Sequence, residues 1–238
     1  LKYLVCFVCF PIVLLAQQAD YQKPRLVIGI TVEGLTADYL SMFWNGMGNQ
    51  GFRKIVENGA TLSSLQFDYD ATDNVSDIAT FSTGSQPYLH GVSWSDVYNR
   101  NTRKYQFLLQ DDAVKSINGV DQLSARGLLV TTLADELKIH SIQRSKVVSI
   151  AMNAKESILQ TGHLADIVMW IDDNTGKWSS STYYNEQLPS WVNRKNEQNA
   201  IQNYMEMVWE PLYPINYYYV TQSRGFTTKS FSYPLKKM

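Results

Sequence analysis

The chain has 238 residues, 21 basic and 22 acidic side chains, three histidines and a formal net charge of −1. A balance this even leaves no electrostatic footprint for nucleic acid, which calls for clustered Lys and Arg in excess. Both cysteines, Cys6 and Cys9, fall in the first ten residues, so the remainder can form neither a disulfide nor a thiolate metal site.

Residues 1–16 carry one charge, Lys2, then a run of Leu, Val, Cys, Phe and Ile ending at Ala16. The run is too short to span a bilayer, which takes roughly 20 apolar residues of helix. A basic residue, a short apolar stretch and a small residue at its end read as a secretory signal peptide. The expectation is export to the periplasm or cell envelope, a polar linker over 17–24, and no transmembrane helix in the mature chain. The first residue is Leu rather than Met, which points to an alternative start codon or an incomplete reading frame.

The continuous apolar run at 25–32, Arg-Leu-Val-Ile-Gly-Ile-Thr-Val, predicts a strand buried on both faces, as in a parallel sheet. Thr36 is placed to cap a helix through Leu40, Phe43 and Trp44. Gly46, Gly48 and Gly51 break that pattern, and a further helical turn or two spans 52–57. Those glycines make no phosphate-binding fingerprint, because no helix in the right register follows them. Residues 60–69 read as a second strand. Helical spacing returns at 74–82 through Val75, Ile78, Ala79 and Phe81, stopping at Thr83-Gly84.

The clearest helix is 127–140, with Leu128, Leu129, Leu133, Leu137 and Ile139 near one face. Strands follow at 146–152 and 167–171. Asp172-Asp173-Asn174 with Gly176 has oxygen donors suited to calcium but lacks the downstream bidentate Glu, so it reads as a turn. A long polar helix covers 188–207, with Pro189 at its start. The aromatic run Tyr217-Tyr218-Tyr219 suits stacking on a sugar or base as well as packing. Strands alternating with helices predict an α/β fold with a mainly parallel sheet flanked by helices. No closing element follows Trp209, so residues 25–238 read as the N-terminal part of an incomplete domain.

Several segments in this order resemble the alkaline phosphatase superfamily. The resemblance is to its type I phosphodiesterase/nucleotide pyrophosphatase branch and to the phosphate-irrepressible bacterial alkaline phosphatases. They are 25–39, 51–59, Ser82-Thr-Gly-Ser85 through His90-Gly91, 126–137, 145–163, Gly176-Lys-Trp-Ser-Ser-Ser-Thr-Tyr-Tyr184 and Leu188-Pro-Ser-Trp191. The resemblance implies metal-assisted phosphoryl transfer, with two zinc ions stabilising the attacking and leaving oxygens and polar donors holding the others.

Carried over position by position, it implies a chain rewritten at its site. The zinc-ligand Asp corresponds to Glu33. The nucleophilic Thr or Ser corresponds to Asn74, which has no ionisable hydroxyl. The phosphoryl-contacting Asn corresponds to Ser95, and the Lys and Arg correspond to Asn153 and Lys155. Thr72, in the loop before Asn74, is the candidate substitute nucleophile. Ser76 is not, because two residues along a helix turn a side chain roughly 200° away. His90, His140 and His163 read as structural, and the family's remaining ligands come from strands beyond this sequence.

Three readings follow. The first is an exported, catalytically inactive or impaired member kept for binding, to a phosphate ester or an envelope protein, or for a structural role. The second is a metal-dependent phosphomonoesterase or phosphodiesterase with a shifted nucleophile. The third is a truncated reading frame without independent function.

Overall fold

The computed structural model describes residues 24–62, 65–70, 73–214 and 232–234. The signal segment 1–16, most of the linker 17–24, Thr72 and the Tyr217–Tyr219 run lie outside them. The chain divides into two compact units, one ending at Glu57 and one beginning at Asn58.

In the first unit, α1 (Ala37–Phe43) follows Thr36 as its N-cap residue and runs into a 3-10 turn, Trp44–Gly46. Then α2 (Phe52–Asn58) begins after Gly51, whose φ is +63°. Arg53 donates to the Trp44 carbonyl and lies over its ring, 5.0 Å from the centroid. The run at 25–32 is a correction to the sequence reading. It pairs with no strand among the described residues, and Leu26, Val27, Ile28 and Ile30 are 71–76% exposed. An apolar run becomes a buried strand only where neighbouring strands satisfy its backbone on both edges, and apolarity cannot supply them. Residues 60–62 and 65–69 likewise form no strand, and Leu62 and Leu65 are exposed.

The second unit holds the core. Its first helix, α3 (Asn74–Thr83), buries Val75, Ile78, Ala79 and Ser82, the i, i+3, i+4, i+7 face of a helix. It stops at Gly84 in the left-handed conformation, whose N–H closes on the Thr80 carbonyl at 2.8 Å. A short α4 (Pro87–His90) leads to the hairpin of β1 (Asp96–Asn99) and β2 (Lys104–Phe107). After β3 (Ser116–Ile117) come α5 (Leu133–His140), β4 (Val148–Ile150), α6 (Ala154–Thr161), β5 (Ile167–Asp172) and β6 (Lys177–Ser181). Helices α7 (Ser190–Glu197) and α8 (Ala200–Met205) and the pair β7 (Val208–Trp209) and β8 (Tyr233–Pro234) follow.

The main sheet has the order β3-β6-β5-β4. The α/β class expected from sequence is present, and the sheet is mixed. β4 and β5 run parallel, joined by α6 as a crossover, while β6 is antiparallel to both β5 and β3. β5 is central and covered on both faces. Val168 and Trp170 pack into the cluster with Val75, Ala79, Ile158 and Leu159, and Met169 packs with Leu188 and Val192. Each fully buried aliphatic side chain here stabilises by about 2 kcal/mol in transfer terms.

Three expectations change in detail. The helix expected from 127 begins at Leu133, because Thr132 accepts from the Asp135 N–H at 3.1 Å and Asp135 accepts from the Thr132 N–H at 3.0 Å. This reciprocal cap defines its first turn. The face it buries is not the leucine face: Asp135 and Lys138 are buried while Leu133 is 78% exposed. The strand expected at 146–152 shortens to three residues and alternates, with Val148 and Ile150 exposed on an edge. The long helix expected at 188–207 breaks at Asn199, whose φ of +49° cannot continue an α-helix.

Candidate phosphoryl-binding site

Parallel pairing brings the carboxyl ends of β4 and β5 to the same edge of the sheet, the side where open α/β sheets bind ligands. Past β4, Asn153 is the N-cap residue of α6 and Lys155 lies in its first turn. Past β5 come Asp172 and Asp173. Asn74 is the first residue of α3, where backbone N–H groups have no helical partner and favour negative charge.

These elements meet through side chains. Lys155 Nζ donates to Asn74 Oδ1 at 2.9 Å across 81 residues of sequence. Ser95, just before β1, donates to Asp73 Oδ2 from its N–H at 2.9 Å and from its hydroxyl at 2.5 Å. That hydroxyl bond above all holds the Asp73 carboxyl below the usual carboxylate range. Asp73 therefore pins the hairpin to the start of α3, and Lys155 pins α6 to it. Asn153 is committed to Glu156, which accepts from its N–H at 3.1 Å and from its Nδ2 at 3.0 Å.

Of the residues expected from sequence, Asn74, Ser95 and Lys155 thus come together, with Asn153 beside Lys155 on a shared cleft. Glu33 belongs to the first unit, in a turn with Gly34. Thr72 lies outside the described residues. Ser76 is fully buried and donates to the Asp73 carbonyl at 2.8 Å, so it does not face the site.

Sequence reasoning did not single out Asp73, Asp96, Asp121 or Trp170. The signal for Asp73 was its place directly before the start of a helix. For Trp170 it was the end of a buried strand running into two aspartates. The Asp172 turn is as expected, with Oδ1 accepting from the Thr175 N–H at 2.8 Å and its hydroxyl at 2.9 Å.

Two of the three histidines are engaged structurally. His90 is fully buried; its Nδ1 accepts from the Val92 N–H at 3.1 Å, so Nε2 carries the proton toward Thr80 Oγ1 at 3.0 Å. Burial pushes its pKa down and keeps it neutral. His163 Nδ1 lies 3.2 Å from the Tyr183 hydroxyl, and His140 is exposed at the end of α5. Among the described residues no group of three or more His, Cys, Asp or Glu is placed to hold a metal ion. The described residues do not supply the donor set for the pair of zinc ions that the resemblance implies.

Residues 27–232 match the family described as type I phosphodiesterase/nucleotide pyrophosphatase. The chain belongs to that family, within the alkaline phosphatase superfamily. It is 34% identical over 216 residues to a Myroides odoratus protein named calcium-transporting ATPase, covering 90% of this chain and 39% of that one. It is 34% identical over 200 residues to alkaline phosphatase PafA of Elizabethkingia meningoseptica, covering 82% and 37%. Among solved structures, wild-type PafA superposes with a TM-score of 0.71 at 33% identity, over 75% of this chain and 35% of that one. A PafA variant with one Thr, one Asn, one Lys and one Arg replaced superposes equally well. The chain spans about two fifths of the length of the curated relatives it matches.

Proposed function

We propose that this family member binds phosphate esters at Asn74, Ser95 and Lys155 without turning them over. The observation that carries the reading is the 2.9 Å bond from Lys155 Nζ to Asn74 Oδ1. An amide stands at the helix start where the resemblance puts a hydroxyl, and the neighbouring cation is bonded to it.

Spacing supports the alignment. In the PafA variant the replaced Thr and Asn stand 21 positions apart and the Lys and Arg two apart. Those are the separations of Asn74 from Ser95 and of Asn153 from Lys155. Forming a phosphoenzyme needs an oxygen nucleophile that can lose its proton, and an amide offers none. Lys155 and the exposed start of α3 still provide positive potential for a phosphoryl oxygen. Glu33 keeps a carboxylate at the position of the zinc-ligand Asp. The described residues do not complete a metal site around it. The apolar pattern of 1–16 supports an exported protein acting in the envelope.

The test is hydrolysis of aryl phosphate monoesters and diesters with added zinc, by the unmodified chain and by Asn74→Thr, alongside phosphate binding by both. The expected result is binding by the unmodified chain without turnover. Turnover by the unmodified chain, unaffected by changes at Asn74, would overturn the reading in favour of a shifted nucleophile and direct attention to Thr72.

A further inference from the structure

The pair β1–β2 forms its own two-stranded sheet, apart from the four-stranded one. Two strands alone are marginal in water. This hairpin is anchored at its base, where the Leu108 N–H donates to the Ser95 carbonyl at 2.8 Å and the Ser95 N–H to Asp73 at 2.9 Å. Its register sets Tyr98 opposite Tyr105 on one face, edge to face with ring centroids 5.3 Å apart. Tyr98 is 51% exposed and Tyr105 74%. Trp94 is also exposed and borders the same depression as both tyrosines, so the rings make one patch rather than scattered single side chains.

Beyond Tyr98 the chain turns through Arg100, Arg103 and Lys104, all exposed. No acidic residue stands between Val97 and Tyr105. Among the described residues, none of these three cations makes an ion pair. The turn is shaped from within: Asn99 Oδ1 accepts from the Asn101 N–H at 2.9 Å and the Thr102 N–H at 3.2 Å. Arg103 sits at φ +53°, where glycine is the easier residue. Asp96, the nearest carboxylate in sequence, lies opposite Phe107 at the far end of the hairpin.

A basic turn beside exposed amphipathic rings is more than a solvated charge run. Tyr and Trp rings settle at the level of lipid headgroups, and basic side chains beside them are drawn to anionic headgroups. A single-stranded nucleic acid would instead call for open ring faces on which bases stack, and Tyr98 and Tyr105 set an edge against a face.

We propose that the β1–β2 hairpin is a membrane-surface contact, with Arg100, Arg103 and Lys104 on the headgroups of an anionic lipid bilayer and Tyr98 and Tyr105 at the headgroup level. The contact does not depend on phosphate-ester binding.

Co-sedimentation of the full chain with vesicles tests it, using phosphatidylcholine alone and an equal mixture with phosphatidylglycerol. The apolar residues 1–16 are common to every variant, so the readout is the difference between variants. The unmodified chain is expected to prefer the anionic vesicles. Arg100→Gln, Arg103→Gln and Lys104→Gln should each weaken that binding about fivefold. Tyr98→Ser combined with Tyr105→Ser should weaken binding to both vesicle types by at least about threefold. Lys195→Gln, at an exposed position on α7, should cost less than about twofold. Urea unfolding midpoints, expected unchanged in the cation variants because the positions are exposed, separate a lost contact from a lost fold. Unchanged binding in the three cation variants overturns the proposal. An equal loss from Lys195→Gln overturns it in favour of net charge. Losses in the cation variants with none in the tyrosine pair, or tighter binding of dissolved polyphosphate than of the vesicles, overturn the lipid contact in favour of a polyanion site.

Discussion

Gly162 follows α6 with φ +69° and ψ −133°, a region of backbone space that side chains other than hydrogen avoid. A Cβ built there would run into Asp135 Oδ2 and lie 2.8 Å from Thr132 Cγ2 and Oγ1. Asp135 itself is fully buried and accepts from the N–H groups of Thr132, His163 and Leu164 at 3.0, 2.8 and 2.7 Å. Gly162→Ala should therefore strain the backbone and displace this carboxylate together. The expected loss is about 3 kcal/mol, read from the midpoint of urea unfolding. A loss below about 0.5 kcal/mol would mean the turn relaxes freely. At this scale the order of segments led to Asn74, Ser95 and Lys155, which the structure brings near one another. It was silent on the buried role of Asp135, because only its bond to Thr132 is local while His163 and Leu164 lie 28 and 29 residues away.

Elements were legible where their stabilising contacts are local. The face and stop of α3 follow from spacing and from Gly84, and the Asp172 turn from its own side chain. The run 25–32 and the leucine face of α5 misled for one reason: burial depends on what lies opposite. On α5 the inward residue is Lys138, 5% exposed, with Nζ 2.9 Å from Asp166 Oδ2 and 3.2 Å from the Ser145 carbonyl. Asp166 also accepts from Lys146 at 2.9 Å and from the Val147 N–H at 2.8 Å. Burial pushes its carboxyl up, but Lys146, Val147 and Lys138 outweigh that and bring it from 3.8 to about 2.

A carboxyl whose folded pKa is depressed stabilises the fold above its unfolded value and loses that contribution as pH falls through the folded value. Stability should thus drop by about 2 kcal/mol between pH 5 and pH 2 on account of this group. Asp166→Asn should flatten that part of the profile while lowering stability at pH 7. An unchanged acid limb in Asp166→Asn, measured by urea unfolding from pH 2 to 7, would remove the cluster from the account. The cap is a separate matter: Thr132→Ala should destabilise α5 by about 1 kcal/mol at every pH.

Across the whole molecule, burial is uneven in a way that composition conceals. In the second unit, Ala79, Val92, Ala125, Ile158, Leu159 and Val168 are fully buried within one cluster around β5 and α6. In the first unit no described residue is buried. Local opening follows the number of buried apolar contacts that must be broken, so the two units should differ in amide exchange. Amides of β5 and α6 are expected to exchange only through global unfolding. Those of 26–30, which lie in no strand and carry apolar side chains in solvent, should exchange within about tenfold of unstructured rates, since their opening free energy is near zero. Native-state hydrogen exchange with peptide-level readout measures both. Strong protection across 25–32 would mean that the run is paired in solution, the arrangement its apolar sequence favours, and that the strand expected from sequence forms. Equal and weak protection everywhere would instead mean that the β5–α6 core does not hold as a cooperative unit, and the proposed phosphoryl-binding site at the ends of β4 and β5 would have no scaffold to keep it.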